Sequence, residues 1–165
     1  MFIVEFGHAS ELSELLREVP SFEGYLADGK DGGLGIGAAN GIHPKAREVD
    51  LLFSGGKYGA AAGRYLFHVA LAVPKEFRDD FLAWYKDEHL PMLLEAQGWD
   101  GCRFVEESVA SGFLFHALHQ LSDRKALDSD ERKRSRATPW FTRLAQHAWF
   151  DKGFARALYA RVPYS

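Results

Sequence analysis

Eight residues near the middle of the chain, Trp84 to Pro91, concentrate side chains that could transfer a proton. They read WYKDEHLP and bring two large aromatic rings, two neighbouring carboxylates and a histidine next to a proline. A histidine side chain titrates near neutral pH, which makes His89 the leading candidate for moving a proton. The alternative is a structural histidine that bonds a backbone carbonyl left without a donor beside Pro91.

The neighbours of His89 have two interpretations each. Glu88 projects onto the apolar stripe of the predicted helix that carries the motif, so it is either an assisting base or a structural group in an ion pair or a cap at a helix kink. Trp84 and Tyr85 could line a cavity for a planar ligand, although aromatic rings at helical spacing are more often core, and core is the preferred interpretation for Trp84. The hydroxyl group of Tyr85 needs a partner, which makes it the better pocket residue.

Three further histidines lie on predicted strands. His68 should point away from the bulky face of its strand, and His116 and His119, three residues apart, should point to opposite faces of theirs. The pattern leaves open which of the last two faces inward. His68, His89 and His119 could together form a polar cluster suited to proton shuttling or to a metal. Separate histidines, each satisfied locally, are the alternative that we prefer to a metal site.

Other reactive or charged residues give weaker signals. Arg103 could hold an anionic ligand by a bidentate contact, or pair with Glu106 or Glu107 on the surface of its strand. Cys102 lies on a predicted strand with no adjacent histidine and shows no sign of activation. The basic run ERKRSR, residues 131–136, follows several aspartates, so we interpret it as a solvated face and not as a nucleic-acid site.

The glycine-rich stretch at residues 28–41 does not match a nucleotide-binding loop. A dinucleotide motif starting at Gly35 would need glycine where Asn40 stands, and a phosphate loop ending at Lys57 would need Ser or Thr where Tyr58 stands. A flexible loop or hairpin tip is the better interpretation.

The bulk composition predicts a globular protein. The chain has 165 residues, 47% of them hydrophobic and 14% aromatic, with a net charge of -3. One cysteine excludes an internal disulfide and is typical of a reducing compartment, so we expect a cytoplasmic protein. The longest apolar run is nine residues, residues 65–73, far below the roughly 20 needed to cross a bilayer.

The second half of the chain predicts a recognisable order of elements. Alternating and helical patterns place strands at residues 65–73, 102–107, 113–121 and 154–162, and helices at residues 77–96 and from Thr138-Pro139 onward. Pro91 should kink the first helix. The order β-α-β-β-α-β is the ferredoxin-like arrangement, in which both helices cover one face of an antiparallel sheet. The other face must be covered by a second sheet or by a partner chain.

The run FLAWYKDEHLPMLLEAQGWDGCRF resembles the WY-x-x-EH-x-P core of EthD-like proteins of the dimeric α+β barrel superfamily. ALHQLSD and TPWFTRL resemble that family's third strand and second helix, so the resemblance spans about residues 65–162. It implies an α+β barrel around an apolar cavity, in a homodimer, in a superfamily that includes cofactor-free oxygenases, polyketide cyclases and haem-degrading enzymes. It also places His119 where relatives often have a pocket aromatic.

The first 64 residues depart from the family but could be a truncated copy of the same unit. Strands are predicted at residues 2–6, 22–27 and 48–54, with a helix at Leu12 to Val19, and VPSFEGYL parallels AQGWDGCR. We therefore expect residues 1–64 to form a degenerate β-α-β-β half and residues 65–165 the complete half of one compact unit.

These observations favour a cofactor-independent enzyme that performs acid–base chemistry on a small apolar, aromatic or polyketide-like molecule. A non-catalytic binding module with the same cavity is the alternative, and a haem-binding protein, which would show a visible absorption band with haem, is a weaker one. We predict a homodimer with no cofactor, nucleic-acid or membrane partner. The expected catalytic residues are His89, Glu88 and His119. The expected ligand-binding residues are His68, Trp84, Tyr85, Met92, Arg103, Phe115 and His116.

Overall fold

A computed structural model describes residues 1–38, 43–58, 63–109 and 112–163 of the chain. Parts of the glycine-rich segment (residues 39–42), of the segment before the strand at residues 65–73 (residues 59–62) and of the turn between the strands expected at residues 102–107 and 113–121 (residues 110–111) lie outside these residues. The strands are β1 Phe2–Phe6, β2 Glu23–Ala27, β3 Gly33–Gly37, β4 Arg47–Glu48, β5 Asp50–Gly56, β6 Tyr65–Val73, β7 Trp99–Val109, β8 Gly112–Leu121 and β9 Phe154–Arg161. The α-helices are α1 Ala9–Glu18, α2 Arg78–Trp84, α3 Leu90–Leu94, α4 Asp130–Ser135 and α5 Pro139–Ala145.

The second half of the chain has the predicted ferredoxin-like topology. Its four strands lie in the order β9-β6-β8-β7 with antiparallel pairing throughout. Strands β6 and β8 pair along their whole length, from Tyr65 opposite Leu121 to Val73 opposite Phe113. The fold class expected from the sequence, α+β with a ferredoxin-like unit in a barrel, is confirmed.

The first half repeats this strand order with fewer helices. Its strands lie in the order β4-β1-β3-β2, and α1 joins the first two. No helix occurs between β3 and β4 in the residues described there. The division into residues 1–64 and 65–165 remains a prediction.

One chain nearly closes the barrel. All nine strands form one sheet whose two ends are β4 and β5, and Val49 alone separates those strands in sequence. β4 pairs with β1, β5 pairs with β7, and β2 joins the two halves through β9. The uncovered face of the second half is therefore covered by the first half of the same chain.

The glycine-rich segment is only partly a loop, because residues 33–37 (GLGIG) form β3 between β1 and β2. Leu34 and Ile36 point into the barrel and are fully buried. The alternating glycines face α1 and the chain that follows it, and a Cβ atom at Gly33 would lie 2.6 Å from Leu12 and 2.7 Å from the Tyr25 carbonyl oxygen. Close packing of α1 on the sheet explains these glycines.

We expect Gly33→Ala to destabilise the fold by about 1 to 3 kcal/mol, since the added methyl group overlaps a backbone atom that cannot move aside. Gly7→Ala is the matched control because a Cβ atom there meets nothing within 4 Å. Urea unfolding measures both free energies of unfolding. Equal values would contradict the close-packing explanation.

The predicted kink in the long helix takes the form of a π-helical turn. Tyr85–His89 is π-helical between α2 and α3, and the Leu90 amide donates to the Tyr85 carbonyl five residues earlier. Pro91 lacks an amide hydrogen for a regular helical bond and follows directly after this turn, at the second residue of α3. The wide turn brings the rings of Tyr85 and His89 into edge contact, with centroids 5.0 Å apart.

The sheet has two faces with separate cores. The helices of the second half cover one face, where aromatic residues such as Phe81, Trp84 and Phe104 are buried. The barrel interior forms the other core, around Ile3, Leu66 and Leu118. Each strand residue belongs to one face or the other, so this division decides which predicted site residues can meet.

Candidate active site

A cleft lies between the helices of the second half and the sheet formed by β6, β8 and β9. The positions that a water molecule can occupy in it span about 50 Å³, and its whole empty space, including the part open to solvent, is about 530 Å³. As it stands the cleft holds only a few waters. Its lining residues are Phe67, Val69, Leu71, Trp84, Tyr85, His89, Leu93, Trp99, His119, Arg132, Arg136, Phe141, Phe150, Asp151, Phe154 and Arg156.

Three buried side chains at the base of the cleft form a hydrogen-bonded chain. Trp99 Nε1 donates to His119 Nδ1 at 3.1 Å, and His119 Nε2 lies 2.8 Å from the hydroxyl oxygen of Tyr85. The indole N–H can only donate, so Nδ1 of His119 must be the unprotonated nitrogen of a neutral ring and Nε2 must carry the hydrogen. His119 therefore donates to Tyr85, whose own hydroxyl hydrogen has no acceptor among the described residues.

Burial keeps His119 and Tyr85 uncharged. His119 is 1% exposed, and burial lowers its pKa well below the usual value of 6.5, with smaller contributions from His89 and Arg132. Burial also raises the pKa of Tyr85 well above 10. At neutral pH the pair is thus a neutral imidazole and a neutral phenol, and Tyr85 has its hydroxyl hydrogen to donate to a ligand in the cleft.

His89 lies beside Tyr85 in the same cleft. Its Nδ1 is 3.4 Å from the Ser135 carbonyl oxygen, which can only accept, so Nδ1 carries the hydrogen, and the Nε2 lone pair has no partner among the described residues. The ring packs on Trp84 with centroids 4.5 Å apart. Burial lowers the pKa of His89 to about 4, the Ser135 bond opposes this, and Arg136 and Arg132 lower it further. The neutral ring is the form present at pH 7.

The two interpretations of His89 are both visible in this geometry. The Ser135 bond is a structural contact with a backbone carbonyl, although this carbonyl belongs to α4 and not to the turn beside Pro91. That bond uses one nitrogen and holds the ring with the other nitrogen free. A base and a fixed hydrogen-bond donor on one aromatic cleft are the parts needed to remove a proton from a carbon next to a carbonyl group.

Trp84 belongs both to the core and to the cleft. It is 2% exposed, yet it lines the cleft, and its indole N–H has no partner among the described residues. A buried donor without a partner costs about 1 to 3 kcal/mol. An acceptor atom on a bound ligand would satisfy it.

Glu88 lies outside the cleft lining. Its carboxylate accepts from the Thr138 hydroxyl group, and Thr138 in turn caps α5 by accepting from the Phe141 amide. This contact joins the π-helical turn to the residue that caps α5, and Glu88 itself caps neither the π-helical turn nor α3. The catalytic assignment of Glu88 remains a prediction, and the geometry favours a positioning role.

The histidines do not form one cluster, because the sheet separates them. His119 and His89 share the cleft, whereas His68 and His116 lie on the barrel side, 2.9 Å apart between Nε2 and Nδ1. His116 Nε2 also contacts the Glu107 carboxylate at 3.4 Å. Residues three apart on one strand point to opposite faces, so His116 and His119 cannot serve one site. The expected cluster of His68, His89 and His119 is therefore wrong.

Three other expected ligand-binding residues also lie outside the cleft lining. Arg103 is inside the barrel, where it bonds Glu23 at 2.9 Å and the Tyr58 hydroxyl at 2.7 Å, and not Glu106 or Glu107. Phe115 is fully buried in the core beneath Phe81. Met92, on α3, is half-buried and is not among the lining residues. Their roles as ligand contacts remain predictions that the geometry does not favour.

Trp99 and the arginines at the mouth were not predicted from the sequence. The basic run 131–136 is only partly a solvated face, because Arg132 and Arg136 of this run line the cleft, together with Arg156 from β9. Arg132 and Arg136 are four residues apart, which places them on one side of a helix. This spacing could have predicted that both side chains reach the same site. No sequence pattern placed Arg156 beside them, because the sheet brings β9 there.

No group of three potential metal-ligating side chains occurs in the part of the chain that the structure describes. No helix within the described ranges is long and apolar enough to cross a membrane.

Comparison with solved structures identifies the fold. An anthrone oxidase-like protein superposes with a TM-score of 0.69 at 10% identity, covering 98% of this chain and 90% of that one. LmHde, a heme-degrading enzyme from Listeria monocytogenes, superposes with a TM-score of 0.64 at 12% identity. The match covers 97% of this chain and 99% of that one. A third match is an uncharacterized ferredoxin fold protein related to antibiotic biosynthesis monooxygenases, from Listeria monocytogenes 4b F2365. Its TM-score is 0.64 at 13% identity, and the match covers 98% of this chain and 94% of that one.

These likenesses show the fold of monooxygenase-like α+β barrel proteins. At 10 to 13% identity they show the fold alone, and they do not single out EthD-like proteins. No family model and no curated protein matches the sequence.

Proposed function

We propose that the protein is a small cofactor-independent enzyme, of the EthD-like kind, that removes a proton from an aromatic, polyketide-like ketone bound in the cleft. The proposal is supported by the orientation of Tyr85 and His89 at the base of the cleft. Trp99 and His119 hold Tyr85 with its hydroxyl hydrogen free, next to a His89 whose Nε2 lone pair is free.

The proton transfer follows from these roles. His89 Nε2 takes a proton from the carbon, the C–H electron pair moves into the ring system, and negative charge develops on the carbonyl oxygen. Tyr85 donates its hydroxyl hydrogen to that oxygen, in a setting where burial strengthens the bond. An imidazolium ion beside an enolate is favoured by their opposite charges, which raises the pKa of His89 in the complex above its value of about 4 in the free protein.

Tyr85→Phe tests the proposal, because it removes the donor and keeps the ring. One structural neighbour is an anthrone oxidase-like protein, so anthrone is the compound to try first. Anthrone has an acidic carbon opposite its carbonyl group, and exchange of that hydrogen with deuterated water under nitrogen can be followed by proton NMR. We expect Tyr85→Phe to lower the catalysed exchange rate by about 10²-fold. Tyr159→Phe, on the barrel side of the sheet, should leave the rate unchanged.

Two outcomes would contradict the enzyme proposal. One is a wild-type protein that accelerates exchange in neither anthrone nor its hydroxylated and carboxylated derivatives. The other is a Tyr85→Phe variant with wild-type rates. A protein that binds these compounds without accelerating exchange would instead be the non-catalytic binding module.

Haem is a second candidate ligand, supported by the heme-degrading neighbour and by the free nitrogen of His89. The types of side chain in the cleft suit haem, since His89 has a nitrogen that could bind iron and the arginines could pair with the carboxylates of haem. The cleft offers water-sized positions over only about 50 Å³, so a porphyrin ring and a three-ring ketone alike would have to extend into its open mouth, where the empty space reaches about 530 Å³. No step is derived through haem.

The homodimer and the cytoplasmic location remain proposals as well. Because one chain nearly closes its own barrel, each copy in a dimer would contain a complete cleft. Sedimentation equilibrium measures the oligomeric state directly.

A further inference from the structure

Three arginines lie at the mouth of the cleft, and each guanidinium group lies near an aromatic ring. The distances to the ring centroids are 5.7 Å for Arg132 over Phe67, 5.9 Å for Arg136 over Phe141 and 5.2 Å for Arg156 over Phe154. Contact with a ring face limits the motion of a guanidinium group while leaving its N–H groups available at the edge.

These arginines differ from their neighbours in having no carboxylate in ion-pair contact within the described residues. Arg132 donates to the Leu127 carbonyl oxygen at 2.6 Å. By contrast, Arg134 and Lys133 on the same short helix pair with Glu95 and Asp130. The one carboxylate among the residues that line the cleft, Asp151, is exposed and forms no ion pair with the described cations.

The local charge is therefore unusual for this protein. The chain as a whole carries -3, whereas the cleft mouth has three cations and one anion. Arg132 is half-buried, and its pKa is lowered by burial first and then by Arg136 and Arg156, with Asp128 opposing them. Three like charges that face one concave aromatic site repel one another unless an anion lies between them.

We propose that this mouth is an anion-binding subsite and that the ligand is a planar aromatic compound carrying a carboxylate group. This inference rests on the proposed function for the use of the cleft and names the class of its substrate. The aromatic rings of the ligand would lie against Trp84 and Phe141, and its carboxylate would accept hydrogen bonds from the arginine forks. An aromatic site with guanidinium groups at one end selects both properties together.

The arrangement has a consequence for His89. Arg132 and Arg136 both disfavour its protonated form, so an anion bound between them offsets that effect and raises the pKa of His89. A carboxylated substrate would thus make His89 a stronger base than a neutral substrate does. The titratable and charged groups around His89 in this direction are Tyr85, His119, Arg132, Arg136, Asp151 and Arg156.

The test compares two ligands of matched shape, 2-naphthoate and the neutral 2-naphthamide, with quenching of Trp84 and Trp99 fluorescence as the binding signal. We expect wild type to bind 2-naphthoate at least about tenfold more tightly, since hydrogen bonds to a charged group contribute about 1.5 to 3 kcal/mol. Arg132→Gln should weaken 2-naphthoate binding about tenfold and change 2-naphthamide binding less than about twofold. Added salt should weaken only the charged ligand.

Arg134→Gln is the matched control, because it removes the same charge from the same helix at a side chain paired outside the cleft. The double variant Arg136→Gln/Arg156→Gln provides a second measurement that does not depend on the packing of Arg132. Equal affinity of wild type for the two ligands, no binding of either, or equal effects of Arg132→Gln and Arg134→Gln would each overturn the inference. Neither ligand has an acidic C–H group for the enzyme to act on, so the outcome is independent of whether Tyr85→Phe affects catalysis.

Discussion

His89→Ala is expected to lower the catalysed exchange of an aromatic ketone by about 10²- to 10⁴-fold, the usual contribution of a positioned base. Among the described residues, the variant removes the only ring nitrogen in the cleft with a free lone pair, since the Nδ1 of His119 already accepts from Trp99. Binding of the ketone should change little, because Trp84, Tyr85 and Phe141 still line the cleft. The loss should therefore appear in kcat and not in KM.

The pH dependence distinguishes a base from a merely structural histidine. With a pKa of about 4 in the free protein, His89 should give a kcat/KM for exchange that is level from about pH 8 down to about pH 5 and falls only below that. An ordinary histidine would give a profile that is still rising at about pH 6.5. His147→Ala is a control in the same helical layer, where the ring contacts that of Phe77 at a tilt of 49° outside the cleft. Retention of wild-type exchange by His89→Ala would leave the protein without a catalytic base and would favour the binding module.

Acid is expected to destabilise the fold strongly, because several histidines are buried in the neutral form. Burial lowers the pKa values of His68, His89 and His116 to about 4, and the charge of His116 contributes to the shift of His68. A group whose pKa is lower in the folded state binds fewer protons there than in the unfolded chain. The contribution of these histidines to the free energy of unfolding is therefore complete above about pH 6.5 and is lost as the pH falls towards 4. Each histidine contributes about 2 to 3 kcal/mol to this loss.

Urea unfolding at about pH 7.5, 6.0, 5.0 and 4.5 measures this effect, and we expect the free energy of unfolding to fall by several kcal/mol across the series. His116→Gln should reduce the slope at acid pH, since glutamine can bond His68 and Glu107 without titrating. His8→Gln is the control, because His8 is exposed and its pKa is raised by Asp31. A flat stability profile in wild type, or an unchanged slope in His116→Gln, would refute the prediction.

In the barrel interior, His68 and His116 belong to a chain of hydrogen bonds and ion pairs. His116 contacts Glu107, which pairs with Arg47 at 3.2 Å, and Arg47 pairs with Glu5 at 3.0 Å. Such a chain orders the neutral tautomers of His116 and His68, because the carboxylate accepts from His116 Nε2 and leaves Nδ1 to accept from His68. Protonation would place two positive charges side by side, which explains why the loss of stability should be steep.

Local patterns in the sequence predicted much of the fold. The alternation of residues 65–73 predicted β6 and its bulky face towards the helices, and Thr138-Pro139 predicted the start of α5, where Thr138 accepts from the Phe141 amide. The strand at Gly33–Gly37 was missed because glycine is a poor strand former by itself. It is favoured there only because α1 and its neighbours leave no room for side chains.

The amino-acid sequence by itself determined the order of strands and helices in the second half, the disruption near Pro91 and the choice of His89, Tyr85 and His119 as candidate site residues. These follow from periodicity, backbone chemistry and residue type, which act over a few positions. Only the tertiary structure decided that His68 and His116 lie across the sheet from the cleft, that Trp99 sets the tautomer of His119, and that three arginines meet at one mouth. Those facts depend on which strands become neighbours and on which face each helix covers, and contacts between residues far apart in the chain decide both.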